Sequence, residues 1–121
     1  MKLRIRGNSI RFRLTRTEVA ALAQGSTVEE TTDFGRDQRL VYSIFPGVNA
    51  ETIVATFNDG RLEILISQPL VLAWAENDEV GINSEQGQLK INIEKDFACL
   101  TPRAPEEDAD AFPHPRTNTV C

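Results

Sequence analysis

The sequence predicts an α+β fold: one barrel-like antiparallel β body built from two ββαββ repeats, with two short helices and an irregular tail. Three observations carry this. Ile10, Phe12 and Leu14, then Val19, Leu22, Ala23, Gly25 and Val28, are matched fifty-two positions later by Leu62, Ile64 and Ile66, then Val71, Trp74, Ala75, Asn77 and Val80. A fixed internal period sets the architecture before any local pattern is read. Apolar residues alternate with polar ones at period two over most of the remaining chain. From Ala98 onward periodicity is lost among Pro102, Pro105, Pro113 and Pro115.

The elements follow in order. Leu3 and Ile5 alternate with Arg4 and Arg6, Gly7-Asn8-Ser9 supplies turn chemistry, and Ile10, Phe12 and Leu14 alternate with Arg11 and Arg13. This reads as a hairpin with one apolar and one basic face. Thr15 caps a helix and Glu18 completes a capping box. Val19, Leu22 and Ala23 form its stripe, and Gly25 stands at the left-handed C′ position. A strand from Val28 to about Thr32, a loop over 34–38 and a strand through Leu40, Tyr42 and Ile44 complete the first repeat, residues 2–46.

The second repeat, 52–97, begins with the alternation of Ile53, Ala55 and Phe57 and the Asn58-Asp59-Gly60 turn. Leu62, Ile64 and Ile66 lead to Ser67 as a cap and Pro69 in the first helical turn, where a missing N–H costs nothing. Val71, Trp74 and Ala75 form the stripe, with Asn77 in place of Gly25. Val80 and Ile82 start a strand that turns at 85–87 and returns through Leu89, Ile91 and Ile93. A repeat of this size buries too little alone, so the two are expected to share one core, closed or nearly closed, about a pseudo-two-fold axis. Trp74 and Tyr42 belong to that core. Residues 1–97 form the domain, and 98–121 an acidic, proline-rich tail that Leu100 and Phe112 could pin to the body.

Composition bounds the function. The 121 residues suit one domain, and 40% apolar with 26% charged residues describe an ordinary globule. The longest apolar stretches fall short of a membrane span, and the first sixteen residues do not read as a signal peptide, so a cytoplasmic location is expected. Two cysteines, Cys99 and Cys121, are too few for a disulfide scaffold. The net charge of −5 hides an asymmetry: residues 1–16 hold Lys2, Arg4, Arg6, Arg11, Arg13 and Arg16 with no acid, whereas residues 51–121 carry five basic and thirteen acidic residues.

The run Arg4-Ile-Arg6-Gly7-Asn8-Ser9-Ile-Arg11-Phe-Arg13-Leu14, followed by a capped helix and two strands, resembles the AbrB/MazE swapped-hairpin superfamily. So does the passage from Ala75 through Glu76-Asn77-Asp78-Glu79-Val80-Gly81-Ile82 to Gln88-Leu89-Lys90-Ile91. In that superfamily two chains interlock hairpins into one barrel, and members are DNA-binding regulators or antitoxins that use the basic hairpin. The resemblance implies that one chain here supplies both halves, and that Arg4, Arg6, Asn8, Arg11 and Arg13 contact DNA. Thr15 stands where such chains usually carry proline, and Thr56, Asn58, Glu63 and Leu65 fall where the first repeat has its arginines. The whole chain also resembles a family of short bacterial proteins with no assigned role, through Met1–Ser9, residues 93–100 and residues 107–113.

The strongest candidate site is the basic ribbon of Lys2, Arg4, Arg6, Arg11 and Arg13, with Asn8 added by the resemblance. A row of cations on two strands suits phosphate neutralisation, and a β-ribbon can enter a major groove. The same row also suits a solvated face that protects a sheet edge, or one that docks the chain's own acidic tail. A metal set of Cys99, Asp108, Asp110 and His114 is weak, because it mixes thiolate with hard carboxylates and has no ligand spacing. The only histidine lies between two prolines, and no phosphate loop or nucleophile elbow is present. Glu94, Lys95 and Asp96 form a charged cluster at a strand end. The expectation is a small non-catalytic binding or interaction module without cofactor, a monomer whose partner is a protein or DNA at the basic hairpin; nucleic-acid regulation is the alternative.

Overall fold

A computed structural model describes residues 1–48 and 53–97. Cys99, Leu100, Asp108, Asp110, Phe112, His114 and Cys121 lie outside the described residues, and with them the whole weak metal set.

Eight strands and two helices are formed among the described residues. The first half contributes β1 (Lys2–Arg6), β2 (Ser9–Leu14), α1 (Arg16–Ala23), β3 (Val28–Asp33) and β4 (Arg39–Gly47). The second contributes β5 (Ile53–Asn58), β6 (Arg61–Ser67), α2 (Gln68–Glu76), β7 (Gly81–Gln86) and β8 (Leu89–Lys95). Neither half builds a sheet alone. The first sheet has the order β1-β2-β8-β7 and the second β3-β4-β6-β5, so the opening hairpin of each half is completed by the closing hairpin of the other. The joins, β2 with β8 and β4 with β6, are parallel; the remaining pairs are antiparallel.

The registers correspond strand by strand. Leu3, Phe12, Ile93 and Ile82 form one row across the inner face of the first sheet. Ala55, Ile64, Ile44 and Val28 form the equivalent row in the second. Phe12, Leu14 and Leu22 from one half meet Ile64, Ile66 and Trp74 from the other in a single buried core. The helices pack against each other over it. Trp74, 1% exposed, lies in this core, and its indole N–H donates to the Glu79 carbonyl at 3.1 Å. Tyr42 is partly buried against the same core.

Five expectations need correction. The β body is not antiparallel throughout: the exchanged hairpins lie side by side with β2 and β8, and β4 and β6, running the same way, so both joins between the halves are parallel and each sheet is mixed. The sheets do not close into a barrel: each is an open four-stranded sheet, and β7 meets β5 through the Gln86 side chain rather than through a continuous ladder. The match of Val28 with Val80 is displaced by two residues. Val28 corresponds to Ile82 in register, so Ile82 is 8% exposed and Val80 55%. The shift is absorbed by α2 running one residue longer than α1 and by β7 starting at Gly81, one residue before the counterpart of Val28. Asn77 does not substitute for Gly25. Gly25 takes a positive φ of 94° after α1, whereas Asn77 is extended and its side chain accepts a hydrogen bond from the Glu79 N–H at 2.9 Å. Ser67 makes no side-chain cap; Pro69 alone marks the start of α2. At α1 the capping box is complete. The Glu18 N–H donates to Thr15 Oγ1 at 3.3 Å and the Thr15 N–H donates to Glu18 Oε1 at 2.8 Å.

The Asp59-Gly60 turn shows why glycine is required there. Gly60 has φ +75°, its carbonyl accepts from the Val41 N–H at 2.9 Å, and an added Cβ would lie 2.7 Å from the Arg39 carbonyl oxygen. A side chain at 60 would push β4 away from β6.

Candidate binding face on the first sheet

Alternation turns Leu3, Ile10, Phe12 and Leu14 inward and leaves Lys2, Arg4, Arg6, Arg11 and Arg13 on the outer face, as the sequence predicts. Register then adds what spacing alone does not disclose, namely which side chains from the far end of the chain share that face. Three rows cross the sheet. Lys2, Arg13, Glu94 and Gly81 form one; Arg4, Arg11, Asn92 and Asn83 the next; Arg6, Ser9, Lys90 and Glu85 the third. Lys90 extends the cationic face, and Glu94 divides it.

Glu94 lies 3.6 Å from both Arg11 and Arg13, and Asp96 lies 3.2 Å from Lys2. The cluster at the end of β8 is thereby accounted for by its partners: two carboxylates hold three cations of the ribbon, while Lys95 donates to the Asn77 carbonyl at 2.8 Å and lies over the Trp74 ring at 5.4 Å. These pairs are partly exposed, and each contributes well under about 1 kcal/mol. They fix side-chain positions more than they stabilise the fold. Among the described residues Arg4 and Arg6 have no carboxylate within salt-bridge distance and are exposed. Asn8 sits with Gly7 in the turn between Arg6 and Ser9, and its carbonyl accepts from the Lys90 N–H at 3.0 Å. The turn is thus tied by backbone to β8, leaving the Asn8 side chain as the part available to a ligand.

A second charged group lies at the other end of β1. The Met1 amino group is 2.6 Å from Glu18 and 3.3 Å from Glu30. Burial alone would lower the amino pKa and raise that of Glu18. The ion pair, with the Thr15 bonds to Glu18, outweighs burial, so the amine is held above its ordinary value and the carboxyl below its own. This group ties β1 to α1 and β3 and is structural.

The equivalent face of the second sheet has different chemistry. Val54, Leu65 and Phe45 replace Lys2, Arg13 and Glu94, and Thr56, Glu63, Ser43 and Glu29 replace Arg4, Arg11, Asn92 and Asn83. Arg61 pairs with Glu29 at 2.8 Å, and Arg39 with Asp33 at 3.6 Å. Among the described residues no group of three or more His, Cys, Asp or Glu could hold a metal ion, and no helix is long and apolar enough to cross a membrane.

A family model described as "Family of unknown function (DUF7009)" matches residues 1–116. The chain belongs to that family. The match spans both halves and reaches beyond the described residues, so the family is defined by the two halves together with most of the segment after β8. Neither the curated proteins nor the solved structures contain a match to this chain.

Proposed function

We propose that this DUF7009 member is a non-catalytic, cytoplasmic binding module whose working surface is the outer face of the β1–β2 hairpin, and that it takes a carboxylate-rich protein segment. The observation that carries this reading is the fork at Glu94, 3.6 Å from both Arg11 and Arg13. The face already holds carboxylates in its own structure, while the exposed Arg4 and Arg6 beside it stand ready for others. Cations at fixed spacing on a rigid sheet give orientation as well as charge, and arginine forks suit carboxylates. Titration of the full chain with a fluorescent polyglutamate peptide tests this. Binding in the tens of micromolar or tighter, weakened by Arg4→Glu with Arg6→Glu, is expected; no binding at low salt sinks the reading.

A second reading is favoured by one specific arrangement, the exchange of hairpins between halves, which is the architecture the AbrB/MazE resemblance implies in fused form. On that reading Arg4, Arg6, Asn8, Arg11 and Arg13 contact duplex DNA and the protein is a monomeric regulator or antitoxin. Affinity for random duplex should then fall steeply with salt, by counterion release. The second reading is abandoned if duplex does not bind at tens of micromolar protein or if Arg11→Glu leaves binding unchanged.

A further inference from the structure

The two helices occupy equivalent places and differ on their outer sides. In α1 the exposed residues include Thr17 and Ala20. In α2 they are Pro69, Leu70, Leu72, Ala73 and Glu76. Pro69, Leu72, Ala73 and Glu76 recur at helical spacing and form one stripe along the helix, while Val71 and Trp74 are buried on its core side. Leu72 is 47% exposed where α1 carries Ala20. The helix is thus apolar on both sides, a pattern that belongs to a covered helix.

The ends of α2 are unmatched as well. Ser67 makes no side-chain cap and the first turn holds no acid, so the positive end of the helix has no anion; the last turn holds no base and finishes at Glu76, a carboxylate at the negative end. At α1, by contrast, Glu18 supplies an acid at the start. Lys95 donates to the Asn77 carbonyl, and among the described residues no cation lies within salt-bridge distance of Glu76. Each end of α2 therefore carries what the other lacks. Such a helix is complementary to a copy of itself running the opposite way.

We propose that α2 pairs with α2 of a second copy of this chain, antiparallel, about a two-fold axis that passes between Leu72 and Ala73. Leu72 of each copy then packs on Ala73 of the other, and Glu76 of each lies beside Pro69 of the other, at the free N–H groups of the first turn. The small Ala73 side chain lets the two axes approach closely. A helix of nine residues is about 13 Å long, so the contact stays below the ~800 Å² per partner of a stable complex. The dimer is accordingly weak and depends on concentration. The two halves already complete one core within a single chain, so the pairing is not needed for folding, and at low concentration the chain stays a monomer. It uses no residue of β1 and leaves Arg4 and Arg6 open to their ligand.

Sedimentation velocity of the full chain over a dilution series, with no ligand added, tests the pairing separately from the outer-face reading. A reversible monomer–dimer equilibrium with a midpoint on the order of 100 µM is expected. Leu72→Glu should weaken it about tenfold or more. Emission from Trp74, the only tryptophan, should stay unchanged in that variant and show that the core is intact. Glu76→Lys should weaken the dimer several-fold while the unfolding midpoint of the monomer holds or rises, because a cation suits the end of a helix. A residue that served only its own helix would not separate those two readouts. Pro69→Glu added to Glu76→Lys should restore the dimer, since opposite charges then face each other across the axis. A chain that stays monomeric up to about 1 mM overturns the proposal. So does a dimer untouched by Leu72→Glu and Glu76→Lys, which would assign the contact to another face.

Discussion

The two sheets share one backbone plan and present opposite outer faces. In the first, Lys2, Arg13 and Glu94 lie side by side; in the second, the same three places hold Val54, Leu65 and Phe45. The inner rows, Leu3-Phe12-Ile93-Ile82 and Ala55-Ile64-Ile44-Val28, remain apolar throughout. Inward positions are held to one chemistry because they fill a common core at crystal-like density. Outward positions answer to whatever lies outside. Of the two outer faces, the first alone carries the row of cations that the proposed binding role uses.

The comparison breaks most completely in the core, where the halves should not be separable. Trp74→Ala is expected to cost about 3–5 kcal/mol and Leu22→Ala about 2–5 kcal/mol. In chemical denaturation each should shift one cooperative transition; two transitions would mean independent halves. Next comes the turn. Gly60→Ala should cost more than Gly7→Ala, because both force a left-handed residue at about 1–2 kcal/mol but only Gly60 also meets the Arg39 carbonyl.

At the helix starts, Glu18→Gln keeps the capping acceptor but loses the ion pair with the Met1 amine, at a cost of up to about 1 kcal/mol, whereas Leu70, which stands at the equivalent place in α2, has neither cap nor charge to lose. The Glu18 carboxyl is held below its ordinary value, so its stabilisation is complete above the normal glutamate range. It disappears as pH falls through the depressed value. Urea melts of both proteins should therefore differ at pH 7 and converge in acid. The smallest stability change is expected for Glu94→Gln, under about 1 kcal/mol. That variant frees Arg11 and Arg13, and polyglutamate affinity should rise several-fold; an unchanged affinity would show that the fork plays no part in binding.

Much of this was legible in the residues. Period-two alternation gave β1, β2, β6 and β8, and Thr15 with Glu18 gave the start of α1, because these are local rules. The basic face was legible for the same reason. Glu94 and Lys90 were not placed on it, because only the parallel pairing of β2 with β8 brings them there, across 81 positions from Ser9 to Lys90. A fixed period of fifty-two aligns Val80 with Val28 because it cannot register the two-residue insertion that makes Ile82 the counterpart. Barrel closure does not follow from a shared core, which requires only two apposed sheets, and Gln86 satisfies an edge with one side chain where a barrel would use a strand.

The parallel join of β2 to β8 also has a consequence for synthesis. While the ribosome is still making the middle of the chain, the first hairpin has no partner, and its apolar side stays uncovered until the last strand emerges. The second sheet, assembled from β3 through β6, can form earlier. Biogenesis therefore runs from the inside of the sequence outward, and a ribosome stalled before β8 would leave a nascent chain whose first-made segment is its last to be sheltered.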